Sequence, residues 1–161
     1  MKLSHVDEAG RARMVDVAAK PVSTRKARAE GTVTMSGQAF ELVRSQAVAK
    51  GDVLAVAEVA GVMGGKRTGE LVPLCHPIGL DHVEVSTELA PDLPGIRVTA
   101  TAKAVGRTGV EMEALTAVAV ACLTIYDMVK AIDRSMSIGG IRLLSKTGGT
   151  HGDWTREEQV R

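Results

Sequence analysis

Aromatic residues are nearly missing from this chain: Phe40, Tyr126 and Trp154 are the only three, 2% of the sequence. A core must then be assembled from Val, Ala, Leu, Ile and Met. Single-stranded nucleic acid, which proteins hold by stacking bases on aromatic faces, is disfavoured as a ligand. Cysteine is equally scarce. Cys75 and Cys122 exclude a framework of several disulfides; one bridge is open to them, and two free thiols in a reducing cytosol is the preferred reading. The first residues lack the apolar run of a secretory signal. The longest stretch without charge, Ala114 to Tyr126, would span about 20 Å as a helix, short of the ~30 Å hydrocarbon core of a bilayer. The expectation is a soluble, cytoplasmic protein with no membrane segment and no nucleic-acid partner.

What is present is a chain of 161 residues, 45% hydrophobic and formally +1 in charge, which suggests one domain with room for a core. The charge is unevenly spread. Residues 1–50 carry nine Lys or Arg against five Asp or Glu, residues 51–102 three against seven, and the rest eight against seven. A basic leading segment can attract a polyanion such as a nucleotide phosphate, or can simply be a solvated arm.

Periodicity divides the chain into an irregular arm (1–28), a single α+β domain (29–149) and a tail (150–161). "ARAEGTVTM" reads as a strand, followed by Ser36 as a helix N-cap. "GQAFELVRSQAV" has helical spacing at Phe40, Val43 and Ala47. After Gly51, "DVLAVAEVAGVM" reads as a second helix with Leu54, Val56, Val59, Val62 and Met63 turned to the core, running out in "GGKRTG". "HVEVSTEL" and "IRVTATAKAV" alternate with period two and are joined by "APDLPG", which predicts a hairpin with one buried face. Thr108 and Glu111 have capping-box spacing and place the start of a long helix near Thr108, ending near Asp133. Between Glu113 and Asp127 this helix carries no charge on any face. A helix apolar all round is buried on more than one side, and one sheet cannot cover it, so a second subunit is expected against it. "SMSIGGIRLLSKTGG" supplies a last strand. The order β-α-α-β-β-α-β predicts an α+β layer with helices on one face of an antiparallel sheet.

Three stretches carry candidate chemistry. In "GELVPLCHPIGLDHV", Cys75 and His76 stand side by side between Pro73 and Pro77. Zinc wants four ligands, usually in spaced pairs, whereas adjacent side chains diverge; His5, His82, His151 and Cys122 offer no matching spacing. A nucleophile and its base normally meet through the fold rather than in sequence. The prolines restrict φ and bias Val72 and His76 to extended geometry, so the segment reads as a stiff pocket wall presenting an imidazole. The alternative is a hydrogen-bonded surface histidine. "AGVMGGKRTGE" departs from the phosphate loop twice, with Ala60 in place of the first glycine and Arg67 in place of Ser or Thr. Lys66 and Arg67 either meet an anion or merely complement a helix C-terminus. In "YDMVKAID", Asp127 and Lys130 lie three apart, with Glu113 on nearly the same face fourteen residues earlier. They are either a surface pair worth a few tenths of a kcal/mol or, if buried, a pair able to move protons.

Taken together, "MVDV", "RKARAEG", "KGDVLAVAEVAGVMGGKRTGELVPLCHPI", "GRTGVEMEALTAVAVACLTIYDMVKAID" and "IGGIRLLSKTGG" resemble the cyclic pyranopterin monophosphate synthase family of molybdenum cofactor biosynthesis, from about Met14 to Gly149. The tail departs from the pattern: Thr150 stands where family members often carry a basic residue. The resemblance implies a ferredoxin-like α+β subunit and a hexamer built as a trimer of dimers, with active sites at subunit interfaces. It implies 3′,8-cyclo-7,8-dihydroguanosine 5′-triphosphate as substrate, cyclic pyranopterin monophosphate and pyrophosphate as products, and the activity of a phosphorus-oxygen lyase. It implies no cofactor beyond magnesium that could ride with the triphosphate, and no metal site. By position, Lys130 and Asp127 would be the general acid–base pair and Lys50 a second catalytic lysine. Leu74, Cys75, His76, Met112, Glu113 and Glu111 would line the substrate pocket, and Lys66, Lys146, Arg25 and Lys20 would hold the triphosphate.

Overall fold

The computed structural model describes Val6, residues 9–150 and residues 152–157. Its elements are β1 (Ser23–Thr34), α1 (Gly37–Arg44), α2 (Val53–Lys66), α3 (Thr68–Leu71), β2 (His82–Ala90), β3 (Gly95–Gly106), α4 (Glu111–Val129), β4 (Ser137–Thr147) and β5 (Trp154–Thr155). The strands form one antiparallel sheet in the order β2-β3-β1-β4-β5. This is the α+β, ferredoxin-like architecture that the sequence predicts. β1 begins at Ser23, so the arm is shorter than the expected 1–28 and residues 23–28 belong to the sheet. β5, two residues long, is too short to leave a period-two signal.

Alternation decides the faces. In the hairpin β2–β3, Val85, Ile96, Val98, Ala100, Ala102 and Ala104 are buried, while His82, Glu84, Ser86 and Glu88 point to the open side. β1 buries Ala27, Ala29 and Val33 on the same side. The inward residues are small, so α4 lies close against the sheet. A methyl group at Gly31 would come 2.7 Å from Val118 Cγ1, tighter than van der Waals contact allows. α4 buries Ala114, Ala117, Val118, Ala121, Cys122, Ile125 and Val129 completely. At 19 residues it is long and apolar enough to cross a membrane by length and composition, yet in this fold it is the central core helix, packed on the sheet and on α2.

Two expectations about helices are overturned. The capping box does not form: α4 starts at Glu111 with Val110 as an N-cap that makes no side-chain bond. The Glu111 carboxylate folds over Gly109 and pairs with Lys146 instead of reaching back to Thr108. The helix also ends at Val129, short of Asp133. In α2 three of the five expected core positions are wrong, while Leu54 and Val62 are partly buried against the core. Val53, Ala57, Gly61, Gly64 and Gly65 face inward, while Val56, Val59 and Met63 are exposed. Glycine permits the closest approach of two helix backbones, so the small side of α2 seats on α4 and the bulky side is left outward. The "GGKRTG" stretch continues through Arg67 directly into α3. Ser36 and Asp52 cap α1 and α2 through their side chains, as their positions suggest. Ala47 lies beyond α1 and is exposed, and Val48 takes the buried place.

The exit of α4 is pinned to the start of α1 by Asp133. Its carboxylate accepts from the Ser36 backbone N–H at 2.7 Å and from the Ser135 N–H and hydroxyl at 2.8 and 2.6 Å. These donors, the Ser135 hydroxyl foremost, hold its pKa down to about 2. A depressed carboxylate contributes stability that is fully present above its unfolded value, about 4, and is lost as pH falls toward about 2. Asp133→Ala is therefore expected to lower the Tm at neutral pH, with the gap from wild type closing as the pH of the melt is taken down through that window. A gap independent of pH would show that the carboxylate charge is not what holds the joint.

Candidate functional site

The N-terminal end of α4 carries two adjoining hollows. The larger, about 430 Å³, lies between the arm, the segment after α3 and the first turn of α4. Beyond α3 the chain is extended through Val72 and folds back so that Pro77 lies against Gly69. This presents Leu74, Cys75 and His76, all half-buried, to the hollow. From the other side the arm contributes Val15, Val17 and Lys20. His76 Nε2 lies 2.8 Å from the Val15 carbonyl oxygen. A carbonyl only accepts, so the imidazole carries a proton on Nε2 and donates it. Met112 and Glu113 complete the floor. Glu113 is almost fully buried, and burial first, the neighbouring Glu111 charge second, push its pKa up.

The smaller hollow, about 200 Å³, shares Lys20, Thr108, Gly109 and Glu111 with the first and is lined by Lys20, Arg25, Lys26, Arg107 and Lys146. Arg25 is 6% exposed; its Nε donates to the Gly106 carbonyl at 3.3 Å, and its Nη2 meets no acceptor. Lys146 pairs with Glu111 at 3.0 Å. The loop of Gly148 and Gly149 takes φ of +85° and +94°, and any side chain at Gly149 would collide with the Arg25 guanidinium. Cations gathered this way favour an anion through charge-assisted hydrogen bonds.

At the other end of α4 stands a third group. Asp127 Oδ1 meets Lys130 Nζ at 2.7 Å, and its Oδ2 meets Lys50 Nζ at 2.9 Å; Lys50 also donates to the Asp127 carbonyl at 2.7 Å. Lys130 first and Lys50 second draw the Asp127 pKa down to about 2. The three side chains are 45–58% exposed in one subunit, so within the chain the pair is not the enclosed one weighed above. Fourteen residues of helix, about 21 Å, separate Asp127 from Glu113.

The structure thus gathers Leu74, Cys75, His76, Met112, Glu113 and Glu111 in one hollow, and Lys20, Arg25 and Lys146 in the next. It brings Lys50 to Asp127 and Lys130, a pairing across 77 residues that no local spacing reveals. Lys66 is exposed on a third hollow, with Glu70, that shares Ile78 and Glu113 with the larger one but none of the residues of the cationic one. Sequence reasoning missed Lys26 and Arg107 in the cationic cup. Among the described residues no three His, Cys, Asp or Glu side chains group as metal ligands; His5 and His151 lie outside the described residues.

The thiols are not activated. Burial, and then Glu113, raise the Cys75 pKa; burial alone takes Cys122 to about 11. With native protein in mildly alkaline buffer, a thiol reagent is expected to modify Cys75 slowly and Cys122 only after unfolding. Rapid modification of both would contradict the burial described here.

Among curated proteins, the chain is 55% identical over 159 residues, 99% of its length and 96% of the relative's, to the cyclic pyranopterin monophosphate synthase of Chloroflexus aggregans. It is 58% identical over 150 residues, 93% of its length and 94% of the relative's, to that of Cereibacter sphaeroides. To that of Methylobacterium nodulans it is 57% identical over 155 residues, covering 96% and 97%. The model of the MoaC family matches residues 14–149, a span that holds every element from the arm at Val15 to the end of β4, and the chain belongs to the MoaC family.

Proposed function

We propose that this chain converts 3′,8-cyclo-7,8-dihydroguanosine 5′-triphosphate to cyclic pyranopterin monophosphate and pyrophosphate, as a phosphorus-oxygen lyase of molybdenum cofactor biosynthesis in the cytoplasm. The observation that carries this reading is the adjoining pair of hollows at the start of α4, one cationic and one lined by Leu74, His76 and Met112. Together they suit a ligand with a polyphosphate at one end and a ring system at the other. Lys20 reaches both and would bridge them. Glu111 holds Lys146 toward the phosphates.

Closure of the cyclic phosphate joins a hydroxyl oxygen of the substrate to the α-phosphorus while the bond to the β-phosphate oxygen breaks. The leaving pyrophosphate takes the electron pair, and the hydroxyl proton passes to a base. Cations on the β- and γ-phosphates stabilise that departure. Lys130, Lys50 and Asp127 would handle the protons of ring opening and pterin formation. With Asp127 held ionised by two ammonium groups, the carboxylate is the acceptor and the lysines are the donors. The reaction so read needs no cofactor of the protein's own; magnesium would arrive with the triphosphate.

One subunit cannot assemble this site, because its proton-transfer group and its binding hollows lie at opposite ends of α4. A homo-oligomer, a hexamer arranged as a trimer of dimers, would bring Lys50, Asp127 and Lys130 of one protomer to the hollows of another. The exposed Val56, Val59 and Met63, spaced by three and four along α2, and the 60% exposed Leu123 of α4 offer an apolar face for such contact.

The test is incubation of the purified protein with the cyclised guanosine triphosphate. One pyrophosphate released per substrate consumed is expected, from a particle six times the 16.9 kDa chain mass by sedimentation. Saturable binding without release would make the protein a nucleotide-binding module and sink the proposal.

A further inference from the structure

We propose that Lys26 and Arg107 are positioning residues for the terminal phosphates, holding the part of the substrate that leaves as pyrophosphate. This rests on the reading given under Proposed function, and it adds two residues to the family-derived set of Lys20, Arg25, Lys66 and Lys146.

The small hollow has five cationic side chains and one carboxylate on its wall, a formal excess of four positive charges. Among the described residues only one of the five, Lys146, has its charge answered, by Glu111. The nearly buried Arg25 spends its Nε on a backbone carbonyl and leaves Nη2 unpaired inside the wall. A buried guanidinium N–H without an acceptor is costly, and it is tolerated where an incoming anion supplies the acceptor. Lys26 and Arg107 stand on the rim of this cup, both exposed. No ion pair or side-chain hydrogen bond ties Lys26 or Arg107 down among the described residues.

The strand register adds a separate observation. Lys26 of β1 sits directly opposite Lys103 of β3. Like charges directly opposite each other weaken a sheet. Carboxylates occur elsewhere on the same open face, at Glu30 and Glu84, but none is placed across from Lys26. The local conflict is relieved if the rim is occupied by a polyanion during function.

The charge also has the right size. A triphosphate brings roughly four negative charges at neutral pH, of which the α-phosphate, shared with the ring end, accounts for one. Lys20 lies on the boundary of both hollows and suits the α-phosphate. Arg25, in the wall, suits the β-phosphate. Lys26 and Arg107 at the rim suit the γ-phosphate, the far end of the pyrophosphate that leaves, while the electron pair of the broken bond passes to the β-phosphate oxygen beside Arg25. Lys66, on a different hollow with Glu70, has no place in this set within one subunit.

The experiment compares Lys26→Ala, Arg107→Ala and Arg107→Lys with wild type, by calorimetric binding of GTP, GMP and inorganic pyrophosphate and by pyrophosphate inhibition of turnover. Both positions are exposed, so the variants are expected to melt with wild-type protein, and the melt is measured first. Each alanine variant should weaken GTP and pyrophosphate about tenfold while leaving GMP within about twofold, and Arg107→Lys should restore most of the loss. Unchanged GTP-to-GMP ratios and an unchanged pyrophosphate inhibition constant in both alanine variants would overturn the proposal. So would an equal loss of GMP and GTP binding, which would mark a general electrostatic or structural effect. If wild type binds pyrophosphate as expected yet releases none from the cyclised triphosphate, the proposed activity fails while the polyphosphate rim stands.

Discussion

Lys130→Ala is expected to reduce pyrophosphate release by about 10²–10⁴-fold, the range that positioned acid–base groups contribute, with the oligomer intact. Among the described residues the Lys130 ammonium pairs with Asp127, its side chain is 51% exposed, and exposed ion pairs add little to stability. The variant should therefore fold and sediment as wild type does. Asp127 will remain ionised at neutral pH in the variant, because Lys50 still pairs with its second oxygen at 2.9 Å. The loss would then belong to the missing ammonium group and not to a changed carboxylate. Wild-type turnover in Lys130→Ala would remove this residue from the mechanism. Because the lysines lower the Asp127 pKa, its ionised form is present above the ordinary carboxylate value of about 4 and is lost only as pH falls toward 2.

Gly61→Val is expected to produce the largest loss of stability of any change considered. The first side-chain carbon added there would lie 2.9 Å from the Ala117 carbonyl oxygen and 3.0 Å from Val85 Cγ2. The carbonyl belongs to the central helix and cannot rotate away. A helical glycine gains about 1 kcal/mol of propensity when replaced by alanine and less when replaced by β-branched valine, whereas forcing two packed helices apart costs about 3 kcal/mol or more once both branches of valine are present. A fall in Tm of roughly 5–10 °C would follow for a chain of this length. Gly61→Ala should fall between the two, since the propensity gain offsets part of the clash. A valine variant that melts with wild type would show that α2 and α4 can separate freely, contrary to the packing described.

The fold was readable because its alternation is regular. His82 to Leu89 and Ile96 to Ala102 separate into faces without exception, and the caps Ser36 and Asp52 carry out their local chemistry. The orientation of α2 was not readable, because hydrophobicity ranks valine above glycine while close helix packing ranks them in reverse. Val56 and Val59 look like core on the first criterion, and Gly61 and Gly64 prove to be core on the second. Thr108 and Glu111 have the spacing of a capping box, but Glu111 finds a lysine 35 residues away that a local pattern cannot foresee. The same limit applies to the site. Asp127 and Lys130 stand out by their spacing, with a surface pair and a buried pair both open. The prolines suggest a stiff segment at Cys75 and His76, and the resemblance alone assigns roles to all of these and to Leu74. Lys26 and Arg107 gave no signal, since a cation on the outward phase of β1, or in the loop just past β3, looks like any solvated residue until its neighbours in the fold are known.

The 21 Å of helix between Glu113 and Asp127 has a consequence for mixtures. Suppose one variant is inactive through Lys130→Ala and another through His76→Ala. If the centre is shared between protomers as proposed, each dead homo-oligomer lacks one half of every catalytic centre. Dissociated, combined in equal amounts and reassociated, the two would form some junctions in which the sound end of one protomer faces the sound end of another. Random assortment restores roughly a quarter of wild-type turnover. Two inert preparations would complement each other in a test tube, which a centre contained within a single polypeptide could never allow.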